Sequence, residues 1–314
     1  KSIVRLMEPG AGDLDSLHPI HYVAQRIAAI AEKLSSERTI DELKDHRERI
    51  LTYYHNIHEF WSLSKEDHVH WFEKGGRKGR TTHLRTAPID VAPYLRQHLF
   101  TRNTGVILTS ATLGISGNMD KFQKSAGAED CATEVRDSPY NYSENVRAFI
   151  AEDSPDTLPQ GQKEQLVDFL TENIEYFATG IQGGSLVLFT SYKDLYAVAD
   201  RLGPLMSSHG RPLFVQGRDL SRMEALRRFA EAGNGILLGT DTFWTGVDVP
   251  GAALSQVILT RLPFENPAHP IAQARQEWLQ SKGRNPFLEM TLPDAVLKFR
   301  QGIGRLIRKK DDRG

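Results

Sequence analysis

The sequence predicts an α/β fold built on a parallel sheet, preceded by a helical segment. Three observations lead there. After Gln162, short apolar runs alternate with stretches of helical periodicity, the order produced by strands joined through crossover helices. Two of those helical stretches open on capping boxes, Ser191-Tyr-Lys-Asp194 and Ser221-Arg-Met-Glu224, in which a hydroxyl satisfies orphan amides of the first turn. Residues 18–63 instead repeat apolar residues every three or four positions, the spacing of helices with one buried face.

Taken in order, Ile20, Val23, Ile27, Ile30 and Leu34 form one stripe, and Leu43, Ile50, Tyr54, Ile57 and Trp61 form another. Ser35, Ser36 and Thr39 supply the break and a cap between them, so a helical hairpin is expected. His55, His58, His68 and His70 have spacings that a metal site uses, but no carboxylate or cysteine completes a set, and ordinary exposed histidines are the expectation. Residues 68–86 read as a β-hairpin around the turn Glu73-Lys-Gly-Gly-Arg-Lys-Gly79. Arg77, Lys78 and Arg80 at its tip are expected to be solvated. Val106-Ile-Leu108 reads as a short buried strand running into Thr109-Ser-Ala-Thr112. The stretch 115–160 is loop-rich, with Val146–Ile150 as its one strand, and a domain boundary is expected in its first part.

The sheet itself is expected from four strands at 185–190, 213–215, 236–238 and 257–259. A helix striped by Leu166, Phe169, Leu170, Ile174 and Phe177 precedes the first, and Gly233 closes the helix opened by Ser221. Helices follow near 268–281 and 294–309. In the last of these, Val296, Phe299, Ile303 and Ile307 form an apolar stripe. Gln301, Arg305 and Arg308 stand at i, i+4 and i+7 and would project from one face. Two guanidiniums and an amide on one edge suit a polyphosphate, being donor forks whose charge does not titrate. Gly302-x-Gly304 does not open a dinucleotide fingerprint, because Ile307 holds the third glycine position and no strand precedes it.

Composition narrows the function classes. At 314 residues the chain has room for two domains, and its 39% hydrophobic and 25% charged content is that of an ordinary globular protein. The formal net charge of −1 means that any nucleic-acid contact comes from local clusters rather than a basic field. The single cysteine, Cys131, excludes an internal disulfide and an iron–sulfur cluster held wholly by these residues. No apolar run approaches the ~20 residues of a membrane helix. A cytoplasmic setting is expected, and the charged run before Gly314 suggests a piece of a longer protein.

Ligands of parallel sheets bind beyond the carboxyl ends of the strands. Three loops therefore carry the chemistry: Thr190-Ser191, Gln216-Gly217, and Gly239 through Asp248 to Gly251. Thr190, Ser191 and Thr240 offer hydroxyls to phosphate oxygens without regard to base sequence. Gly246 lets backbone approach a ligand, and Asp248 offers a carboxylate to a ribose hydroxyl or a metal-bound water. For Ser191, helix capping is an equally good account.

Five strings, in order, make the chain resemble the DinG/XPD-type helicases of superfamily 2, in particular the bacterial DinG branch. They are Thr109-Ser-Ala-Thr-Leu113, Leu186-Val-Leu-Phe-Thr-Ser-Tyr192, Phe243-Trp-x-Gly-Val-Asp-Val-Pro-Gly251, Arg261-Leu-Pro-Phe264 and Gln301-Gly-x-Gly-Arg-Leu-Ile-Arg308. The resemblance implies RecA-like motor domains with helices on both faces of the sheet. Residues 1–80 would be the end of a helical arch-like insertion, 81–116 the end of motor domain 1, and 117–314 motor domain 2. It implies that Thr190, Ser191, Gln216 and Thr240 meet single-stranded DNA, and that Gly246 and Asp248 face ATP. Gln301, Arg305 and Arg308 would reach its γ-phosphate, while Ser110 and Thr112 couple the domains.

No Gly-x-x-x-x-Gly-Lys-[Ser/Thr] loop or Asp-Glu-x-His box occurs in the sequence. The phosphate cradle and Mg²⁺ ligands, and any iron–sulfur or exonuclease domain, are expected upstream. The expected activity is ATP-driven 5′-to-3′ translocation and unwinding at duplex junctions by a monomer. A non-hydrolysing nucleic-acid-binding module and an RNA-directed or purely translocating motor are the alternatives.

Overall fold

The computed structural model describes residues 3–10, 14–76, 79–101, 104–155, 163–218, 220–244, 249 and 253–314. They group into two compact units: Lys1–Thr104 with Lys124–Ala128 and Asn266–Pro286, and Gly105–Gln123 with Glu129–Glu265 and Phe287–Gly314.

The first unit is a helical hairpin with a small sheet. It contains β1 (Ile3–Leu6), α1 (His18–Ala31), α2 (Glu37–Ser62), β2 (His68–Gly75), β3 (Thr81–Pro88) and the short α3 (Ala92–Leu95). Helix α1 packs along α2, but not on the expected stripe: its buried residues are Ala24 and Ala31, while Val23 and Ile30 are exposed and Leu34, also exposed, lies beyond the helix end. Strands β2 and β3 form the expected hairpin, with His68 opposite Pro88 and Gly75 opposite Thr81. Its Gly76 lies at φ +74°, where a side chain would be strained and would meet Thr81. β1 was not legible: four residues pair antiparallel with β2, Leu6 opposite His70, and no local turn announces so distant a partner. The tip residues Arg77 and Lys78 lie outside the described residues. The later helix α10 (Pro270–Ser281) completes this unit. Its Ala274 packs on Val69 and Trp71, and its Glu277 takes a bidentate pair of hydrogen bonds from Arg5 at 2.8 Å.

The second unit holds the parallel sheet. Two short helices precede it in sequence, α4 (Asp120–Ala126), whose last three residues count with the first unit, and α5 (Tyr142–Asn145). Then come α6 (Lys163–Thr179), β4 (Ser185–Leu188), α7 (Tyr192–Ser208), β5 (Leu213–Val215), α8 (Arg222–Ala232), β6 (Ile236–Gly239), α9 (Asp241–Trp244), β7 (Gln256–Leu259) and α11 (Leu292–Ile303). The strand order is β5-β6-β4-β7, all parallel. Successive residues of a strand point to opposite faces, and both faces are covered. Val187, Phe189, Ile236 and Leu238 pack against α6 and α7, whereas Leu186, Leu188 and Leu237 pack against Phe229, Phe243, Trp244 and Leu254. The predicted caps form: Ser191 Oγ accepts from the Lys193 and Asp194 amides, and Ser221 Oγ from the Glu224 amide. Gly233, at φ +69°, ends α8 in the left-handed region. Arg211 secures the edge where α6 meets β4, its guanidinium donating to the carbonyls of Ala178, Ile181, Gly183 and Asn234.

Three expected elements differ. Val106–Leu108 forms no strand, and Ile107 is 91% exposed. No described strand runs beside it, and an apolar run without a ladder partner cannot become a strand. Val146–Ile150 is likewise extended but unpaired as a ladder. The Val146 amide donates to the Tyr142 carbonyl at 3.0 Å and the Arg147 amide to the Gly314 carbonyl at 2.8 Å, and Phe149 and Ile150 are exposed. The last helix stops at Ile303, so the single face carrying Gln301, Arg305 and Arg308 does not form. Two glycines within three residues weaken the helix end, and Gly304 caps it.

One expected surface histidine is also in the interior. His70 is 2% exposed and stands edge-on to Phe60 at 5.6 Å. Burial pushes its pKa below the ordinary 6.5. As pH falls through 6.5, the unfolded chain therefore takes up the proton before the folded one, and stability is lost with falling pH. Between about pH 7 and pH 5, the melting temperature of His70→Leu should fall less steeply than that of the wild type. Parallel slopes in a thermal scan would refute the assignment.

Candidate functional site

At the carboxyl end of β4 the chain leaves the sheet through Phe189, Thr190 and Ser191. Ser191 must take extended backbone (φ −140°, ψ 128°) to cap α7. Its oxygen accepts two amide protons there, which leaves the hydroxyl proton to donate outward. Thr190 and Ser191 are half-buried, and Tyr192, the first residue of the helix, is exposed. Asp194, one turn in, is a buried carboxylate paired with Lys163 and with Arg261 from the segment after β7, each at 3.4 Å.

The end of β5 supplies Gln216, and the end of β6 supplies Thr240. These two expected contact residues face each other. Gln216 Oε1 accepts from the Thr240 amide at 2.6 Å and from its hydroxyl at 3.2 Å, while Gln216 Nε2 donates to the Tyr192 hydroxyl at 2.8 Å. Thr240 is 2% exposed and Gln216 is 8% exposed. Their polar atoms thus link three adjacent loops from below. Gly246 and Asp248 lie outside the described residues.

Beyond α9 the polypeptide of α11 and the turn after it comes alongside. Gln301 Nε2 donates to Thr112 Oγ1 at 3.0 Å, the Thr112 amide donates to Ser110 Oγ at 3.2 Å, and Arg300 donates to the Gly114 carbonyl at 2.7 Å. Gln301, Thr112 and Ser110 are therefore brought together. Arg305 follows the helix, and its Nη2 donates to the Trp244 carbonyl at 3.3 Å. Arg308 is fixed through its backbone, with its amide donating to Asp312 and its carbonyl accepting from the Tyr140 hydroxyl at 2.6 Å, and its side-chain Nε donates to the Arg305 carbonyl at 3.4 Å. Both guanidiniums are half-buried. Burial pushes both pKa values below the usual arginine value, and the nearby Arg222 charge adds to this at Arg305. An arginine remains a cation under such a shift.

Three residues emerge that sequence reasoning passed over. Tyr192 and Trp244 lay inside recognised strings without a role, and Arg222 was hidden as the first residue after a cap. The capping signal pointed to Arg222's position, but nothing local signalled that its guanidinium would lie 5.6 Å over the Phe243 ring. Among the described residues no three His, Cys, Asp or Glu side chains gather as a metal site requires.

Residues 174–314 match the family model described as the helicase C-terminal domain. Over 280 residues the chain is 35% identical to the "3'-5' exonuclease DinG" of Bacillus subtilis, covering 87% of this chain and 30% of that protein. It is 33% identical over 267 residues to the "ATP-dependent DNA helicase YoaA" of Escherichia coli, covering 85% and 40%. The "ATP-dependent helicase DinG" of Mycobacterium tuberculosis is 31% identical over 281 residues, covering 88% and 40%. The chain thus spans well under half the length of these relatives. In fold it is similar to a solved XPD helicase (TM-score 0.58, 16% identity, 99% of this chain and 52% of that one) and to S. tokodaii Xpd4 (TM-score 0.59, 15% identity, 99% and 55%). The expected α/β architecture, a RecA-like parallel sheet after a helical segment, agrees with that likeness.

Proposed function

We propose that the chain belongs to the DinG/XPD-type helicase family and is the C-terminal motor part of an ATP-dependent DNA helicase. The supporting observation is that one sheet gathers two chemistries at one end. Hydroxyl- and amide-bearing loops follow β4, β5 and β6, and the Arg305–Arg308 turn is hydrogen-bonded to the end of α9. A helicase C-terminal model spans both features, which favours a motor over the exonuclease named for the Bacillus relative.

In this proposal Thr190 and Ser191 donate hydroxyl protons to the phosphates of single-stranded DNA. Gln216 and Thr240 take a supporting part rather than the direct contact expected of them, since their polar atoms are already engaged. Gly246 and Asp248 face the nucleotide. Arg305 and Arg308 supply fixed positive charge to the γ-phosphate as negative charge spreads over it in the transition state. Gln301 ties that segment to Thr112 and Ser110, the string that would couple the domains. Residues 1–80 are assigned to the arch-like insertion, 81–116 to the end of motor domain 1 and 117–314 to motor domain 2.

The phosphate loop and the Mg²⁺ ligands are assigned to the longer protein. Bound with ATP, Mg²⁺ neutralises phosphate charge during transfer. An iron–sulfur cluster would also be held elsewhere, since this chain has one cysteine. No helix among the described residues is long and apolar enough to cross a membrane. Action in the cytoplasm, as a monomer and at duplex junctions, belongs to the proposal.

Three measurements on the full-length protein test it. With saturating single-stranded DNA, Arg308→Ala should lower kcat for ATP by about a thousandfold and change KM far less, because the lost interaction is made in the transition state. Lys should rescue poorly for want of the planar fork. The backbone hydrogen bonds that hold the turn survive both changes, so a loss that merely follows a lowered melting temperature would sink the assignment of Arg308 to the γ-phosphate.

Ser191→Asp keeps a good N-cap but sets a carboxylate against phosphate. It should retain wild-type stability and lose affinity for single strands, whereas Ser191→Ala should cost about 1 kcal/mol of stability. Unchanged affinity in Ser191→Asp would leave the residue a cap only. The direction is checked by strand displacement: a 5′-tailed DNA duplex should be unwound and a 3′-tailed one should not. Unwinding of RNA in preference to DNA would support the RNA-directed alternative instead.

A further inference from the structure

Trp244 occupies an unusual junction. It ends α9 with its side chain fully buried, and it touches both halves of the proposed machinery. Its indole Nε1 donates to the Phe189 carbonyl at 3.2 Å, the residue directly before Thr190 and Ser191. Its own carbonyl accepts from Arg305 Nη2 at 3.3 Å. The benzo edge of the indole lies against the backbone of α11, where a Cβ added to Gly302 would stand 3.1 Å from Cε3 and Cζ3. Behind Gly302 sits Leu188 of β4, whose Cδ1 would be 3.4 Å from that Cβ. Lys298, one turn earlier in α11, places its ammonium 5.9 Å from the same ring.

We infer that Trp244 is a positioning residue that transmits a change at the Phe189–Ser191 loop to the Arg305–Arg308 turn. The inference rests on the function proposed above. A rigid bicyclic ring with few rotamers, closed in on every side, cannot shift at one contact without shifting at the others. Strand binding at Thr190 and Ser191 pulls on the Phe189 carbonyl, and through the indole N–H that pull reaches the ring. The ring bears on Gly302, and the residue's carbonyl holds Arg305, so the guanidiniums move with it. The same geometry accounts for Gly302. A glycine inside a helix costs stability, and here it lets the indole lie close: a Cβ at this position would press on the ring, which would have to give by a few tenths of an ångström. Trp244 touches no substrate in this scheme. It sets where Arg305 stands.

The test uses the full-length protein and measures the ratio of single-strand-stimulated to unstimulated kcat for ATP, together with KM and melting temperature. Trp244→Phe removes both the indole donor and the benzo ring. It should reduce the stimulation ratio by a factor of roughly two to thirty, the range of coupling changes along a contact chain, and move KM for ATP less than kcat. Gly302→Ala, which presses on the ring from the other side, should reduce the ratio in the same way when it is read below the melting transition of the variant. In the double variant the alanine meets no benzo ring, so the loss should be no greater than that of Trp244→Phe alone.

If both single variants keep the wild-type ratio, or if their effects add in the double variant, the coupling role of Trp244 is wrong while the helicase proposal stands. If Trp244→Phe does not fold, the ratio in Gly302→Ala decides. A wild type whose ATP turnover ignores single strands overturns the underlying function first, and that outcome is read without any variant.

Discussion

Everything in the second unit depends on a sheet that is dry on both faces. Leu186, Val187 and Leu188 are fully buried, and their side chains point alternately into two separate cores. Such strands have no solvated edge on which to display polar chemistry along their length. Polar groups are confined to the strand ends, and the carboxyl ends are where the chain turns out into Thr190, Gln216 and Thr240. The position of the candidate site is thus a consequence of core packing, before any ligand is considered. The hydrogen bonds among Gln216, Thr240 and Tyr192 follow from the same constraint, because polar groups crowded against two dry cores must satisfy one another.

Much of this was legible from local chemistry. The caps at Ser191 and Ser221 form because an N-cap hydroxyl and the amides it serves are only two or three residues apart, so no distant partner is needed. The stripes of α2 and α6 were legible for a similar reason, periodicity being a property of one helix; in α1 the period was right but the face was not, because small Ala24 and Ala31 are the buried residues. Long-range features were less legible. Val106–Leu108 looked like a strand, but a strand exists only when another lies beside it, and nothing in three apolar residues says whether one does. β1 failed in the opposite sense: Ile3–Leu6 is unremarkable until β2 pairs with it.

The end of α11 was misread for a different reason. The spacing of Gln301, Arg305 and Arg308 fits a helix perfectly well, and the two glycines that stop it looked like tolerated defects. Gly302 has its cause in Trp244, 58 positions earlier by residue number, and such a cause has no trace in helical periodicity. The site residues themselves were found because they sit in strings with a family likeness. What each side chain does there was harder to foresee, as Thr240 illustrates: its hydroxyl faces inward to an amide instead of outward.

The strand order has a consequence for how the protein is made. β4 lies in the middle of the sheet, between β6 and β7, yet it is synthesised first of the four strands. Its last partner arrives late, since Ser185 and Gln256, paired across β4 and β7, are 71 residues apart. At about 5–20 residues per second, a ribosome takes several seconds to cover that distance. β6 can pair along one side once it has been made, but until β7 emerges the other edge of β4 stays open, and an unpaired edge invites pairing with another chain. Nascent-chain folding of this unit is therefore gated by the emergence of β7, and whatever shields β4 until then acts on the ribosome-bound chain rather than on the finished protein.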